Sequence, residues 1–407
     1  MTSDRLALPP RVVTLVLCRG DGSVLGALPP FEVELPWWQE VHPVVAGARE
    51  HFGAHITVLR LLAAQPHPQC AGGPVAYLAE LDGGDGIGVT ALLPWVGVPN
   101  ADEPLRAPWA RPGGPAADLE WADSVLEGAG DGRVAPAVQM RSWNLSSLWR
   151  LPTRTGAAWL KVVPSFFDHE GAVLAQLDAR VTPPLLGVDG ARILMTEVPG
   201  EDQYEATGSA LVPMVEMIVD LQASWMDRTH ELLELGAPDW RAGPLTELLG
   251  ELVHRWAHQL EPEIGRRLDT LASALPGRLA AVARCGVPDT LVHGDFHRGN
   301  VRGTPPALVL LDWGDCGVGH PMLDQAAFLS PLEADDQDLV RKTWTSAWQL
   351  RVPGCDPERA ATLLAPVAAL RQALIYQQLL DGIEPDERIY HAPDPLIWLT
   401  RAAELTP

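Results

Sequence analysis

Hydrophobic and polar positions change their rhythm twice along the chain. In the first stretch, Val12–Leu17 is a short apolar run that reads as a buried strand. Gly20-Asp21-Gly22 reads as a turn and Val24–Leu28 as its hairpin partner. Val44, Val45 and Ala48 carry helical spacing over Pro43–Phe52, with Pro43 suited to the first turn and Gly53 to the stop. Ile56–Leu62 and Val75–Leu81 are strand-like, so residues 11–82 predict a small α+β unit. Prolines at 94, 99, 104, 108 and 112 then mark a linker from Pro94 to Gly114, and Ala117–Leu126 predicts a short helix. From about residue 133 the pattern is strand-rich: Val138–Ser142, Ser146–Leu151 and Ala158–Val163, with Thr153–Gly156 as a tight turn. Glu170–Leu177 is helical, and Ile193–Val198 is a further strand ending at Pro199-Gly200. Beyond residue 208 the chain is mostly helical, interrupted by the apolar runs Thr290–His293 and Ala307–Leu311.

Composition narrows the function classes. The chain has 407 residues, 47% hydrophobic and 20% charged, which excludes wholesale disorder. Thirty Lys+Arg against 52 Asp+Glu leave a net charge of −22, a field that repels nucleic-acid backbones and anionic membranes. Neither a nucleic acid nor a membrane is therefore an expected partner. Cys18, Cys70, Cys285, Cys316 and Cys355 are scattered, with no zinc-site spacing, as suits a reducing compartment. Val12–Cys18 is far too short for a membrane span and no small-residue cleavage site follows it, so a cytoplasmic location is expected.

Candidate chemistry concentrates in Leu291-Val292-His293-Gly294-Asp295-Phe296-His297-Arg298-Gly299-Asn300 and in Val309-Leu310-Leu311-Asp312-Trp313-Gly314-Asp315. An acid and an amide lie five apart on one irregular loop, and a second acid ends an apolar strand. Asn and Asp oxygens are hard ligands that suit a Mg²⁺ ion completed by water and substrate phosphates. The first acid is then left to accept a proton from a substrate hydroxyl, which is what phosphoryl transfer needs. The plainer alternative is that Asp295 and Asn300 are turn-formers capping helices; the compound pattern weighs against it.

The segments His293-Gly294-Asp295-x4-Asn300 and Asp312-Trp313-Gly314 resemble the catalytic and metal segments of the aminoglycoside phosphotransferase/choline kinase family. They are also similar to the H-R-D-x4-N and D-F-G segments of protein kinases. The resemblance implies Asp295 as catalytic base, Asn300 and Asp312 as Mg²⁺ ligands, and His293 as a brace for the loop. His297 stands where protein kinases carry a Lys that touches the γ-phosphate. Gly319-His320-Pro321-x2-Asp324 also looks like the family, where this Asp packs and caps the following helix. Upstream, Lys161 in a strand and Glu170 in the next helix fit the pair that grips the α/β-phosphates of ATP. His169 or Asp168 takes the place of Glu170 if the register differs. No glycine-rich loop lies between the first two strands of this lobe; Ser146 and Ser147, through their hydroxyls or their backbone N–H groups, are the candidates to cradle phosphate there. The backbone of Glu197 and Val198 is expected to face adenine.

Residues 11–82 resemble a Nudix hydrolase domain in outline, but Arg49-Glu50 is followed by His51-Phe52-Gly53 and the pair of metal-binding glutamates is missing. A non-catalytic accessory unit is therefore expected. Trp37-Trp38 with Glu32, Glu34 and Glu40 suggest either a binding surface or a packing patch. The expected architecture is α+β: a two-lobed protein-kinase-like fold with a β-rich first lobe and a helical second lobe, preceded by a small Nudix-like domain. Its boundaries are 1–98 for the accessory domain, 99–132 for the linker and short helix, 133–200 for the β-rich lobe and 201–407 for the helical lobe. The expected function is ATP- and Mg²⁺-dependent phosphorylation of a hydroxyl on a small cationic or sugar-like acceptor, such as an aminoglycoside or amino sugar. Glu333, Asp335, Asp336, Asp338, Asp381, Glu384, Asp386 and Glu387 are candidate acids for its pocket, though a charge run is also what a solvated face looks like. Competing readings are a catalytically silent nucleotide-binding regulatory protein and a nucleotide-diphosphate hydrolase acting through the degenerate first unit.

Overall fold

β1 (Arg11–Cys18) sends Val13, Leu15 and Leu17 into one core cluster and Val16 and Cys18 into another, and it is flanked in its sheet by β2 (Val24–Ala27) and by β5 (Gly73–Leu81), which runs parallel to it. The computed structural model in which this is seen describes residues 8–65, 70–82, 92–97, 99 and 102–406. The predicted hairpin forms, with Gly22 at φ 84° and the Asp21 carboxylate accepting from the Ser23 amide. The sheet order is β2-β1-β5-β4, with β3 (Phe31–Val33) also on β1 and β4 (Ile56–Ala64) at one edge. A parallel β1–β5 pair requires a crossover, and α1 (His42–Phe52) lies in it with Val44 and Ala48 buried. Gly53 ends α1 at φ 64°, where its N–H closes on the carbonyls of Ala48 and Arg49. Trp38 is fully buried and donates its indole N–H to Gly72 O at 2.9 Å. It belongs to the core rather than to a binding surface.

Chain contacts separate two compact units: Met1–Phe166 with Leu186–Glu197 and Leu380–Ala392, and Phe167–Leu185 with Val198–Leu379 and Pro393–Pro407. The first unit also contains α2 (Gly114–Gly128) and a second sheet. That sheet comprises β6 (Val138–Trp143), β7 (Ser146–Pro152), β8 (Ala157–Val162), β9 (Leu185–Asp189) and β10 (Arg192–Thr196), in the order β6-β7-β8-β10-β9. Of the expected Pro-rich linker, residues 98, 100 and 101 lie outside the described residues. Trp109 within it is buried against Trp149, Leu160 and Leu194 of the second sheet and donates its indole N–H to Trp143 O at 3.2 Å.

Side-chain contacts from β6 reach the first sheet and the segment that precedes α1. The Gln139 amide makes both backbone bonds of Val58, accepting from its N–H at 2.8 Å and donating to its carbonyl at 2.7 Å. Glu40 and Arg141 form an ion pair. A short 3-10 segment, Pro385–Tyr390, completes this unit. Tyr390 packs edge-on to both Trp38 and Trp143, and Glu387 accepts from the Leu61 amide at 3.2 Å. Glu384 lies 3.0 Å from Arg106 and 3.4 Å from Arg60. Glu384 and Glu387 are thus buried partners of the first unit, not acids lining an acceptor pocket.

Burial, reinforced by the charge of Glu384, pushes the Glu387 carboxyl up to about 8 against the opposing pull of the Leu61 amide and Arg60. A carboxyl raised in the folded state holds its proton there after the unfolded chain has lost it. Stability from this group is therefore complete below the ordinary glutamate range and is lost as pH rises through about 8. We expect urea resistance, followed by tryptophan fluorescence, to decline between pH 5.5 and 8.5 by at most about 1.4 kcal/mol per pH unit from this group. Glu387→Gln, which keeps an acceptor for Leu61, should flatten that decline. An equal decline in both proteins would remove Glu387 as its source.

The second unit is helical. It contains α3 (His169–Leu174), α4 (Val212–Ser224), α5 (Thr229–Glu234), α6 (Ala242–Trp256), α7 (Pro262–Ala283) and α8 (Met322–Leu329). α9 (Ala334–Arg351), most of α10 (Pro357–Gly382) and α11 (Asp394–Glu404) complete the helices. Two small ladders interrupt them: β11 (Thr290–Val292) with β14 (Gly317–Gly319), and β12 (Val301–Thr304) with β13 (Ala307–Leu310). Trp344 and Trp348 are fully buried on α9, so they serve packing. Among the described residues, no helix is long and apolar enough to cross a membrane.

Candidate functional site

β11 is buried at all three positions and delivers His293 and Gly294 onto the loop that follows. Gly294 adopts φ 89°, and a Cβ there would stand 1.9 Å from Asp315 O, so only glycine fits. Asp324, in the first turn of α8, is fully buried and its carboxylate accepts three donors. These are the amides of His293 (2.9 Å) and Gly294 (2.8 Å) and the Gln222 side chain (2.8 Å). Where the resemblance implies a cap for its own helix, Asp324 instead anchors the loop that carries Asp295.

His293 is fully buried, and burial lowers its pKa, so the ring is neutral. Its Nδ1 faces the Asp295 amide at 3.3 Å, which places the proton on Nε2, 3.0 Å from Leu311 O. One imidazole therefore ties the Asp295 loop to the strand end that presents Asp312. The Leu311 amide donates to Asn300 O at 2.8 Å and makes the same connection a second time. Asp312 itself has φ 62°, a left-handed conformation that Asp tolerates better than most residues.

The Asp295 side chain is 45% exposed. The Asn300 amide donates to Asp295 O at 3.0 Å and to Oδ2 at 3.3 Å, which turns its own carbonyl oxygen away as an acceptor. His297 takes the Gly299 amide on Nδ1 at 3.0 Å and points Nε2 at Asp295 Oδ2, 3.5 Å away. Burial opposes the charged imidazolium of His297. The hydrogen bond and charge of Asp295, with Asp312 behind it, outweigh burial and raise its pKa.

Glu170, on α3, is buried and accepts the Trp313 amide at 3.1 Å, so it is attached directly to the Asp312 segment. His169 is also buried, and burial lowers its pKa against the opposing pull of the backbone at Cys316 and Gly314. The Val198 carbonyl accepts from Arg302 at 2.8 Å, which engages one of the backbone groups expected to face adenine.

In the first unit, Lys161 lies near the middle of its sheet, opposite Leu148 on β7 and Ile193 on β10. Ala158, Leu160 and Val162 bury the other face of β8. The Glu197 amide donates to Ala157 O, and its carboxylate pairs with Arg150 at 2.8 Å. Ser146 Oγ accepts from the Trp143 indole at 3.2 Å and Ser147 Oγ from Trp149 at 2.9 Å. Both serines are buried, with Ser147 wholly so. Each hydroxyl oxygen thus accepts from a tryptophan and keeps its own O–H as a donor.

Arg371 was not anticipated from the sequence. It is buried on α10, with its guanidinium 3.5 Å above the Trp240 ring and Nη1 3.5 Å from Gly294 O. Burial lowers its pKa to about 10 against the pull of Asp315, Asp324 and Asp295, so it stays charged at neutral pH. A lone Arg in the apolar run Ala368-Ala369-Leu370-Arg371-Gln372-Ala373-Leu374 was the available signal.

Among the described residues, no three His, Cys, Asp or Glu side chains gather as an all-protein metal cage. Mg²⁺ needs only one or two protein oxygens when phosphates and water complete its shell. A carboxylate at Asp312 and an amide oxygen at Asn300 have that chemistry.

This constellation, on a mixed β-sheet and helical framework, is that of a small-molecule phosphotransferase with a protein-kinase-like fold. The sequence matches the APH phosphotransferase enzyme family over residues 148–362, more than half of the chain, and the protein belongs to that family. Among solved structures, it is similar to the GDP complex of aminoglycoside 2'-phosphotransferase-IIIa, with a TM-score of 0.50 at 14% identity, covering 70% of this chain and 98% of that one. A choline/ethanolamine kinase family protein from Mesorhizobium loti gives 0.48 at 13% identity, covering 71% and 99%. Macrolide 2'-phosphotransferase type I gives 0.47 at 16%, covering 68% and 97%. No curated sequence matches the chain. The family match begins at residue 148 and does not reach residues 11–82, for which a Nudix-like domain was expected.

Proposed function

We propose that the protein transfers the γ-phosphoryl group of ATP to a hydroxyl of a small amino-containing molecule, such as an aminoglycoside or amino sugar. The observation that carries the reading is the exposed carboxylate of Asp295, held by Asn300 and tied through His293 to the segment bearing Asp312. Asp295 takes the acceptor's proton as its oxygen bonds to the γ-phosphorus and the bridge to ADP breaks. Asn300 and Asp312 would hold Mg²⁺, which when bound neutralises phosphate charge. Lys161 is assigned to the α/β-phosphates from its strand position, and Glu170 to ordering the Asp312 segment. A cationic acceptor is favoured by the net charge of −22. Residues 1–98 are assigned an accessory, non-catalytic role.

The test is Mg²⁺-dependent ADP release, with ATP and with GTP, across aminoglycosides, amino sugars, neutral sugars and choline-like alcohols. We expect release to depend on an amino-containing acceptor. Neutral sugars alone as acceptors would overturn the substrate class. Nucleotide binding without turnover on any acceptor would favour a silent regulatory protein, and absence of nucleotide binding would overturn the reading altogether.

A further inference from the structure

We infer that a cavity in the second unit, bounded by α6, α7 and the β11–β14 ladder, is a binding site for a small molecule with an apolar ring and a hydroxyl group. The cavity has a volume of about 280 Å³, and none of the residues assigned above to phosphoryl transfer lines it. Its walls include buried Leu245, Leu279, Val282 and Leu323, together with Trp240. Such a surface takes an apolar body.

Two polar groups break that surface at one place. Thr290 stands opposite Gly319 in the β11–β14 ladder, so Asp289 and His320, one position further along, face each other across its end. Both line the cavity. His320 is 7% exposed, and its Nδ1 accepts the Met322 amide at 3.3 Å, which puts the ring proton on Nε2. Nε2 is buried and has no hydrogen-bond partner among the described residues. Burial drives the His320 pKa down to about 3, so the group is a neutral N–H donor at any physiological pH. Burial raises the Asp289 carboxyl while Arg241 pulls it down. A buried donor without an acceptor is unfavourable. With a small rotation of the His320 ring, a hydroxyl oxygen would accept from Nε2 while its O–H donates to Asp289, and the attached ring would occupy the leucine-lined space. Ala242 and Ala283, both exposed, form part of the rim, so an entry path exists. The Trp240 ring also carries the Arg371 guanidinium, which contacts Gly294 O. An occupant would therefore touch a side chain one contact removed from the Asp295 loop.

The test uses the full chain and 4-fluorophenol, observed by fluorine NMR. We expect saturable binding with a dissociation constant of about 1 mM, as befits a ligand of so few atoms. Fluorobenzene, which lacks the hydroxyl, should bind at least about tenfold more weakly. Ala283→Trp, at an exposed rim position, should weaken 4-fluorophenol at least about tenfold while leaving the circular-dichroism melt unchanged. His320→Phe removes the donor and should abolish the preference for the phenol over fluorobenzene. Three results would each overturn the inference: no saturable binding of 4-fluorophenol, equal affinity for the two probes, or full affinity in Ala283→Trp. The readout is binding alone, so failure of the kinase reading and failure of this site are distinguishable.

Discussion

Asp295→Asn lowers kcat for the best acceptor by at least about 10³-fold and leaves nucleotide affinity within about threefold. The expectation follows from where the carboxylate stands. Its side chain is 45% exposed, and the loop that carries it is anchored by backbone bonds to Asp324 and by His293, bonds that do not involve the Asp295 carboxylate. Asparagine has the same shape and keeps the Asn300 bond to the backbone carbonyl of residue 295. It lacks a basic oxygen, so the acceptor's proton has no destination. A second readout separates this from a general disturbance. His297 owes its raised pKa chiefly to the hydrogen bond and charge of Asp295 acting against burial. In Asp295→Asn the His297 pKa, followed by NMR, should therefore fall. Loss of nucleotide binding together with turnover would contradict the role assigned to Asp295, as would near-normal turnover.

The parts of this molecule legible in its sequence are those whose physics is local. The Gly20-Asp21-Gly22 turn, the helix stopped by Gly53 and the apolar run of β1 each depend on neighbours a few residues away. The arrangement of the candidate site was legible for a related reason. Asp295 and Asn300 share one short loop, and Asp312 ends an apolar strand soon afterwards, so spacing alone restricts how they meet. What stayed hidden depends on partners remote in the chain. Glu384 and Glu387 belong to a run of acids and read as candidate pocket residues, because Arg60 and the Leu61 amide lie more than 300 residues earlier. The tryptophans that donate to Ser146 and Ser147, Trp143 and Trp149, are close in sequence, but nothing in the spacing indicates those bonds. Asp324 reads as a cap for its own helix, yet the amides it accepts are those of residues 293 and 294. Arg371 gives a sequence signal, a charge in an apolar helix, but not the identity of its partners.

Asp312→Asn raises the Mg²⁺ concentration needed for half-maximal activity at least about tenfold and lowers kcat/KM by about 10²-fold, with little change in thermal stability. Residue 312 combines a chemical demand with a conformational one. Its backbone lies at φ 62°, where Asn is tolerated as well as Asp but a β-branched residue is strained by roughly 1–2 kcal/mol. Its neighbours are fixed on both sides, Leu311 by His293 and Asn300, and Trp313 by Glu170. Asparagine thus retains the geometry and removes only the charge, leaving a neutral oxygen that competes poorly for a hydrated Mg²⁺ ion. Asp312→Val removes the charge and adds strain, so it should lose activity and also melt at lower temperature. The two variants together separate ligand from scaffold. If Asp312 holds the metal, Asp312→Asn shifts the Mg²⁺ titration at unchanged stability. If Asp312 serves only the turn, Asp312→Asn titrates like the natural protein and only Asp312→Val is impaired, which removes residue 312 from the metal site.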